Sequence, residues 1–252
     1  MPTTIRMVKI LRLTTSNDTV HQGPESRVGW LQRLGEERLG EPLEIVSRAV
    51  WPDARLPAAA EKWIEREQPD IVWLVLQSFW FEYLSVPKRL ERKFGRVGKV
   101  ASEAGFKAAD KPLVANNFAF RQGRKLLQRT IGGDPHFAID PLFETIEGLA
   151  RVSLRNEGRQ FVVWGPFSYH RYWTTTRQRD EALAWRTELI RRIRALAGDL
   201  HFYAEASDRP FWETERKRVL HGDQFHMGVE EQRELAEREL ELLARIIAGV
   251  PA

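Results

Sequence analysis

DIVWLVL, residues 70 to 76, carries no polar side chain after its opening aspartate. A strand with one face in water alternates apolar and polar residues, so a run without alternation reads as a strand covered on both faces. Four more runs read as buried strands, rich in Val, Ile, Leu and aromatic residues and several of them without strict alternation: VKILRL (8–13), LEIVSRAV (43–50), QFVVWG (160–165) and LHFYAE (200–205). Helical stretches separate them. SRVGWLQRLGEERLG (26–40) closes on a glycine, LPAAAEKWIEREQ (56–68) stops before Pro69, and DEALAWRTELIRRIRALAG (180–198) again ends in glycine. The terminal EEQRELAERELELLARIIAG (230–249) sets Leu235, Leu242 and Ile246 on one face. Strand and helix alternate, which predicts a three-layer α/β/α domain with a five-stranded parallel sheet in order 2-1-3-4-5, joined by right-handed crossovers.

One connection is too long. Between Phe81 and Arg159 the chain spends far more residues than a single crossover helix needs. The surplus, residues 97–140, holds glycines (FGRVGKVASEAG, TIGGDPH) and the basic stretch RQGRKLLQR, which reads as a solvated helix face. We read it as a helical cap inserted after the third strand into a single domain spanning 1–252. The cap is expected over the carboxyl edge of the sheet, closing a pocket walled by Phe79, Trp80, Tyr169 and Trp173.

Composition narrows the function. The 252 residues are 42% hydrophobic and 29% charged, with net charge +4 and no cysteine. That balance suits a folded globular chain and excludes disulfides, thiol nucleophiles and cysteine-ligated zinc. His201, His221 and His226 have no familiar zinc spacing, so no metal and no cofactor are expected. The N-terminus MPTTIRMVKILRL lacks the form of a signal peptide, and IVWLVLQSFWF is too short and too interrupted to span a bilayer. A cytoplasmic protein with no membrane or nucleic-acid partner is the expectation. No feature of the sequence speaks to oligomeric state.

Ligands of open parallel sheets bind at the carboxyl ends of the strands. Those ends read TTSND, WPD, QSFWFEY, GPFSYHRYW and ASDRPFW, a gathering of polar and aromatic residues. Ser16 follows the first strand, and HGDQFHMGVEEQ (221–232) brings Asp223 and His226 to the entry of the last helix. Asp223 also reads as a helix cap, and Ser16-Asn17-Asp18 as a turn and helix start. A serine hydroxyl needs an adjacent imidazole to take its proton, and that imidazole needs an acceptor on its other nitrogen. Ser16, His226 and Asp223 are the set placed to meet those demands.

With these residues in place, the sequence resembles the SGNH (GDSL) hydrolases, serine esterases with a flavodoxin-like sheet. The resemblance runs nearly the whole length and rests on a serine after the first strand and on Asp223-Gln-Phe-His226 followed by Gly228 and a helix. It implies that Ser16 attacks an acyl carbon, that His226 is general base and then acid, and that Asp223 orients it. The opening block reads Thr14-Thr15-Ser16 in place of Gly-Asp-Ser. Pro52 stands where the family has a glycine, and Phe79 where it has an asparagine, so two of three oxyanion donors are missing. The Ser16 N–H remains. Substitutes are expected from the Asp53 N–H, the Ser78 hydroxyl, Asn17, Asn116 or Asn117. The implied function is hydrolysis of a small-molecule ester. The alternatives are an acyltransferase using the same serine, or a degenerate relative that binds a carbohydrate or acylated ligand without turnover.

Overall fold

The computed structural model describes residues 7–15, 18, 23–109, 117–166, 176–196, 200–203 and 229–249. Its five strands are β1 (Val8–Thr14), β2 (Leu43–Ala49), β3 (Ile71–Val75), β4 (Gln160–Trp164) and β5 (Leu200–Tyr203). They form one sheet in order β2-β1-β3-β4-β5, and every pairing is parallel. The expected topology is therefore the observed one. Around the sheet lie α1 (Arg27–Leu39), α2 (Leu56–Glu67), α3 (Val86–Ala109), α4 (Phe118–Thr130), α5 (Ile139–Ser153), α6 (Thr176–Arg194) and α7 (Val229–Ile247).

The period of two along each strand divides the core. On one face Leu11, Leu13, Val72, Leu74, Phe161 and Val163 pack against Ala60 and Ile64 of α2, Leu142 and Ile146 of α5, and Leu189 of α6. On the other, Ile10, Trp73, Val75, Val162 and Trp164 meet Leu31 and Leu34 of α1 and Leu235 and Leu243 of α7. Both faces of β3 are thus covered, which is why DIVWLVL does not alternate.

The helix boundaries have local causes. The Ser26 hydroxyl accepts the Gly29 N–H at 2.9 Å to start α1, and Gly40 at φ 66° ends it. The foot of the sheet is stitched by Asp70. Its N–H donates to the Lys9 carbonyl, its carboxylate accepts the Lys9 N–H, and its carbonyl accepts the Gln160 N–H, each at 2.9 Å. One residue therefore sets the register of β1, β3 and β4.

Among the described residues the long connection holds three helices. α5 is the crossover that packs on the sheet, and α3 and α4 are the surplus. The helical part begins at Val86, ahead of the expected boundary, because the chain runs through most of FGRVGKVASEAG as helix and breaks helical geometry only at Gly95 (φ 55°, ψ −126°). Two features return this arm to the carboxyl rim. Ser85 and Asp134 form an antiparallel bridge, with Arg89 at 3.2 Å and Arg92 at 2.9 Å from the Asp134 carboxylate. The Phe137 N–H donates to the Trp80 carbonyl at 2.9 Å.

Gly35 marks the closest approach of α1 to the sheet, where a Cβ would meet the Leu43 side chain at 2.5 Å. Because Leu43 is itself buried, it has little room to retreat. Gly35→Val is expected to destabilise the fold by about 1–3 kcal/mol, the usual cost of overpacking, read as a lowered urea midpoint.

Candidate active site at the carboxyl edge of the sheet

The rim beyond the carboxyl end of β1 is built on a buried group of charges. Arg12 donates from Nε to Asp18 at 2.6 Å and from its two terminal nitrogens to Glu239 of α7 at 2.6 and 3.0 Å. Arg27, the first residue of α1, donates to Gln232 at 2.9 Å and lies 3.3 Å from both Asp18 and Glu239. The Thr14 hydroxyl donates to Asp18 at 2.6 Å. All six side chains are buried, and the two arginines balance the two carboxylates. Burial works against the charge on Asp18, but Arg12 and Arg27, with the hydrogen bonds from Arg12 and Thr14, outweigh it and hold the carboxyl down at about 2. Burial likewise opposes the Arg12 charge, and Asp18 and Glu239 more than reverse it, leaving the pKa raised. The cluster ties Thr14, at the end of β1, and Asp18, in the connection that follows, to the start of α1 and the body of α7.

Beside it, loops from β2 and β3 meet in an aromatic group. Trp51 lies 6.3 Å from Phe79, 5.7 Å from His136 and 6.0 Å from Phe137, centroid to centroid. Phe79 stacks on Tyr83 at 5.1 Å and sits 4.7 Å from His136. Since β1 lies between β2 and β3, this group flanks the end of β1. Trp51 remains 53% exposed, an unusual position for an indole that no apolar neighbour requires to be wet. Burial first, and Lys88 second, lower the His136 pKa to about 4, so its imidazole is neutral at physiological pH.

A third feature lies at the rim of β3 and β4. Glu82 is buried, 3.4 Å from Arg186 of α6, which also donates to the Pro166 carbonyl. Burial pushes Glu82 up to about 8 against the pull of Arg186.

Of the residues singled out from the sequence, Ser16, Asn17, Asn116, Tyr169, Trp173, Asp223 and His226 lie outside the described residues. Phe79 stands in the aromatic group, whereas Trp80 is a core side chain, 1% exposed. Trp80 is turned inward because it follows Phe79 through a tight turn in which the Trp80 and Phe81 N–H groups donate to the Gln77 and Ser78 carbonyls. Ser78 is buried beneath that turn. The Asp53 N–H donates to the Trp51 carbonyl at 2.9 Å, and its carboxylate accepts from Arg55. Asn117 is exposed just ahead of α4. Sequence reasoning passed over Trp51, Tyr83 and His136. Their signal was present, since WPD and QSFWFEY are strand ends and GGDPH returns to the same rim. Among the described residues there is no group of His, Asp and Glu able to hold a metal ion.

No family model matches the sequence, and no curated protein matches it. Several solved structures share its fold. A family 3 carbohydrate esterase of Clostridium thermocellum aligns over 96% of this chain and 100% of its own, with TM-score 0.51 and 12% identity. The acetylxylan esterase Axe2 of Geobacillus stearothermophilus, in a catalytic-mutant structure, aligns over 94% and 95% with TM-score 0.57 and 12% identity. The psychrotrophic esterase EstA of Pseudoalteromonas sp. aligns over 95% and 98% with TM-score 0.53 and 10% identity. The likeness is one of architecture: between 95% and 100% of each of these chains aligns with this one.

The geometry carries two expectations. Glu239→Ala leaves two buried guanidinium groups facing one carboxylate, and is expected to cost about 3–5 kcal/mol in chemical denaturation. Glu82 keeps its proton in the folded chain up to about pH 8, whereas its ordinary value is 4.5. Between those values the unfolded chain has lost a proton that the folded chain retains, so stability falls as pH rises through this window. Glu82→Gln, a neutral isostere, is expected to flatten that part of the stability–pH curve, read from melting temperatures at intervals of pH.

Proposed function

We propose that the chain is a serine ester hydrolase of the SGNH type acting on a small-molecule ester. In this reading the Ser16 hydroxyl attacks the acyl carbon and its proton passes to His226, whose ring Asp223 orients. As the tetrahedral adduct collapses, the bond to the leaving alcohol breaks and His226 returns the proton to that oxygen. Water, activated by the same imidazole, then releases the acid. No cofactor enters.

The observation that carries the proposal is the buried charge cluster. It fixes Thr14 and Asp18, which bracket Ser16 in the sequence, and joins them to Glu239 of α7, the helix that Asp223 and His226 precede in the sequence. A triad drawn from the two ends of a chain needs such a tie, because an error of an ångström in placement costs rate steeply. The esterase comparison adds support. Catalytic mutants of Axe2 replace a serine near its N-terminus, an aspartate and a histidine, the last two separated by three positions as Asp223 and His226 are. Trp51 and Phe79, tilted at 58° to each other, offer apolar rings of the kind that pack against a sugar ring or an aryl ester.

One observation favours a second reading, ligand binding without turnover. Pro52 has no N–H, Phe79 has no polar side chain, and the Asp53 N–H is spent on Trp51. Each missing oxyanion donor costs about 100- to 1,000-fold in rate. A single comparison separates the two: wild type against Ser16→Ala, with a fluorophosphonate probe and short activated esters. The hydrolase reading expects slow turnover and labelling of wild type, both lost in Ser16→Ala. Absence of label together with turnover equal to that of Ser16→Ala overturns it in favour of binding.

A further inference from the structure

The arm formed by α3 and α4 differs in charge from the rest of the chain. Residues 86–130 contain twelve Lys and Arg against three Asp and Glu, a net +9, while the remainder nets −5. Segregation of this kind marks a surface that meets an anionic partner. The same arm exposes apolar side chains. Among the described residues nine large hydrophobics are exposed, and six of them lie here: Phe94, Val97, Val100, Phe118, Leu126 and Leu127. Val97 is 77% and Phe118 76% exposed, values at which burial within this chain contributes almost nothing. Lys93, Arg96 and Arg129 are exposed around them and make no ion pair among the described residues.

We propose that this arm docks the protein reversibly on an anionic lipid surface, its apolar side chains entering the headgroup–acyl boundary and its cations facing phosphate and carboxylate headgroups. The expectation of no membrane partner rests on spanning length alone. No helix among the described residues is long and apolar enough to cross a membrane, and a helix lying in the interface needs charge and amphipathicity instead. Two other occupants fit less well. Nucleic acid would match the charge, and Phe94 and Phe118 have rings able to stack on bases, but the other four exposed apolar side chains, Val97, Val100, Leu126 and Leu127, gain nothing among phosphates. A second copy would cover the apolar side chains while bringing two +9 segments together. The proposal stands independently of the esterase reading, since it uses no residue of that site.

The test is co-sedimentation of the full chain with vesicles of phosphatidylcholine, with and without phosphatidylserine. Binding is expected only to vesicles containing phosphatidylserine, and is expected to weaken as salt rises from about 0.1 to about 0.5 M. Phe94→Ser with Leu126→Ser, and separately Lys93→Glu with Arg96→Glu, are each expected to lower binding about tenfold or more, at unchanged melting temperature. The second pair changes only exposed cations, so it reports on docking if the first perturbs folding. Equal binding to both vesicle types overturns the proposal. So does retention on duplex DNA that exceeds vesicle binding and survives the Phe94→Ser, Leu126→Ser change. A dimer in sedimentation velocity that the same change dissociates would assign the face to a second copy and overturn it too.

Discussion

Four buried charges govern how this molecule is put together. Removing two guanidinium groups and two carboxylates from water is expensive, and attraction between them offsets the cost only when the geometry is good and the remaining polar atoms are satisfied. Here Arg12 reaches Glu239 through both terminal nitrogens and Asp18 through the third, Thr14 donates to Asp18 and Gln232 accepts from Arg27, while the second Asp18 oxygen has the Arg27 charge at 3.3 Å and no hydrogen bond. The Arg12 guanidinium carbon also lies over the Trp73 ring, 6.0 Å from its centroid. A hydrophobic cluster of equal volume would hold α7 to β1 at least as tightly. It would not fix direction, because apolar contact tolerates sliding. A bidentate pair does not, and a site assembled from opposite ends of a chain needs that fixed direction.

The architecture was legible because its signals are local. The strands could be read from short runs rich in Val, Ile, Leu and aromatic residues, and α1 and α2 from a closing glycine and a following proline. Tertiary structure had little to override there. The arm was less legible for the same reason. Its glycines resemble breaks, yet within α3 and α4 only Gly95 takes a backbone conformation that a helix cannot, while Gly98, Gly105 and Gly123 are carried inside the two helices and Gly132, at φ 78°, follows the end of α4. Glycine costs a helix about 1 kcal/mol, which neighbouring turns can absorb.

The rim shows the opposite case. Arg12 reads as an intruder in VKILRL, and nothing near it in sequence says what it pairs with. Its principal partner lies 227 residues away. Asp18 reads as part of a turn, when it is the inner wall of a charge cluster. Trp80 and Phe79 look interchangeable in QSFWFEY, and the tight turn between them sends one to the core and leaves the other at the rim. Such outcomes depend on through-space neighbours, which neither period nor composition records.

The pairing of α1 with α7 also bears on the order of synthesis. Translation delivers β1, α1 and β2 first, and domains tend to fold as units once their parts have emerged. For this chain the apolar faces of Leu31 and Leu34 and the guanidinium groups of Arg12 and Arg27 have no Leu235, Leu243 or Glu239 to meet until α7 leaves the ribosome. β1, made before the other four strands, is therefore among the last to be enclosed. Until then its α1-side face is open to other apolar surfaces, and a chain halted ahead of α7 would be a substrate for chaperones rather than a stable fragment.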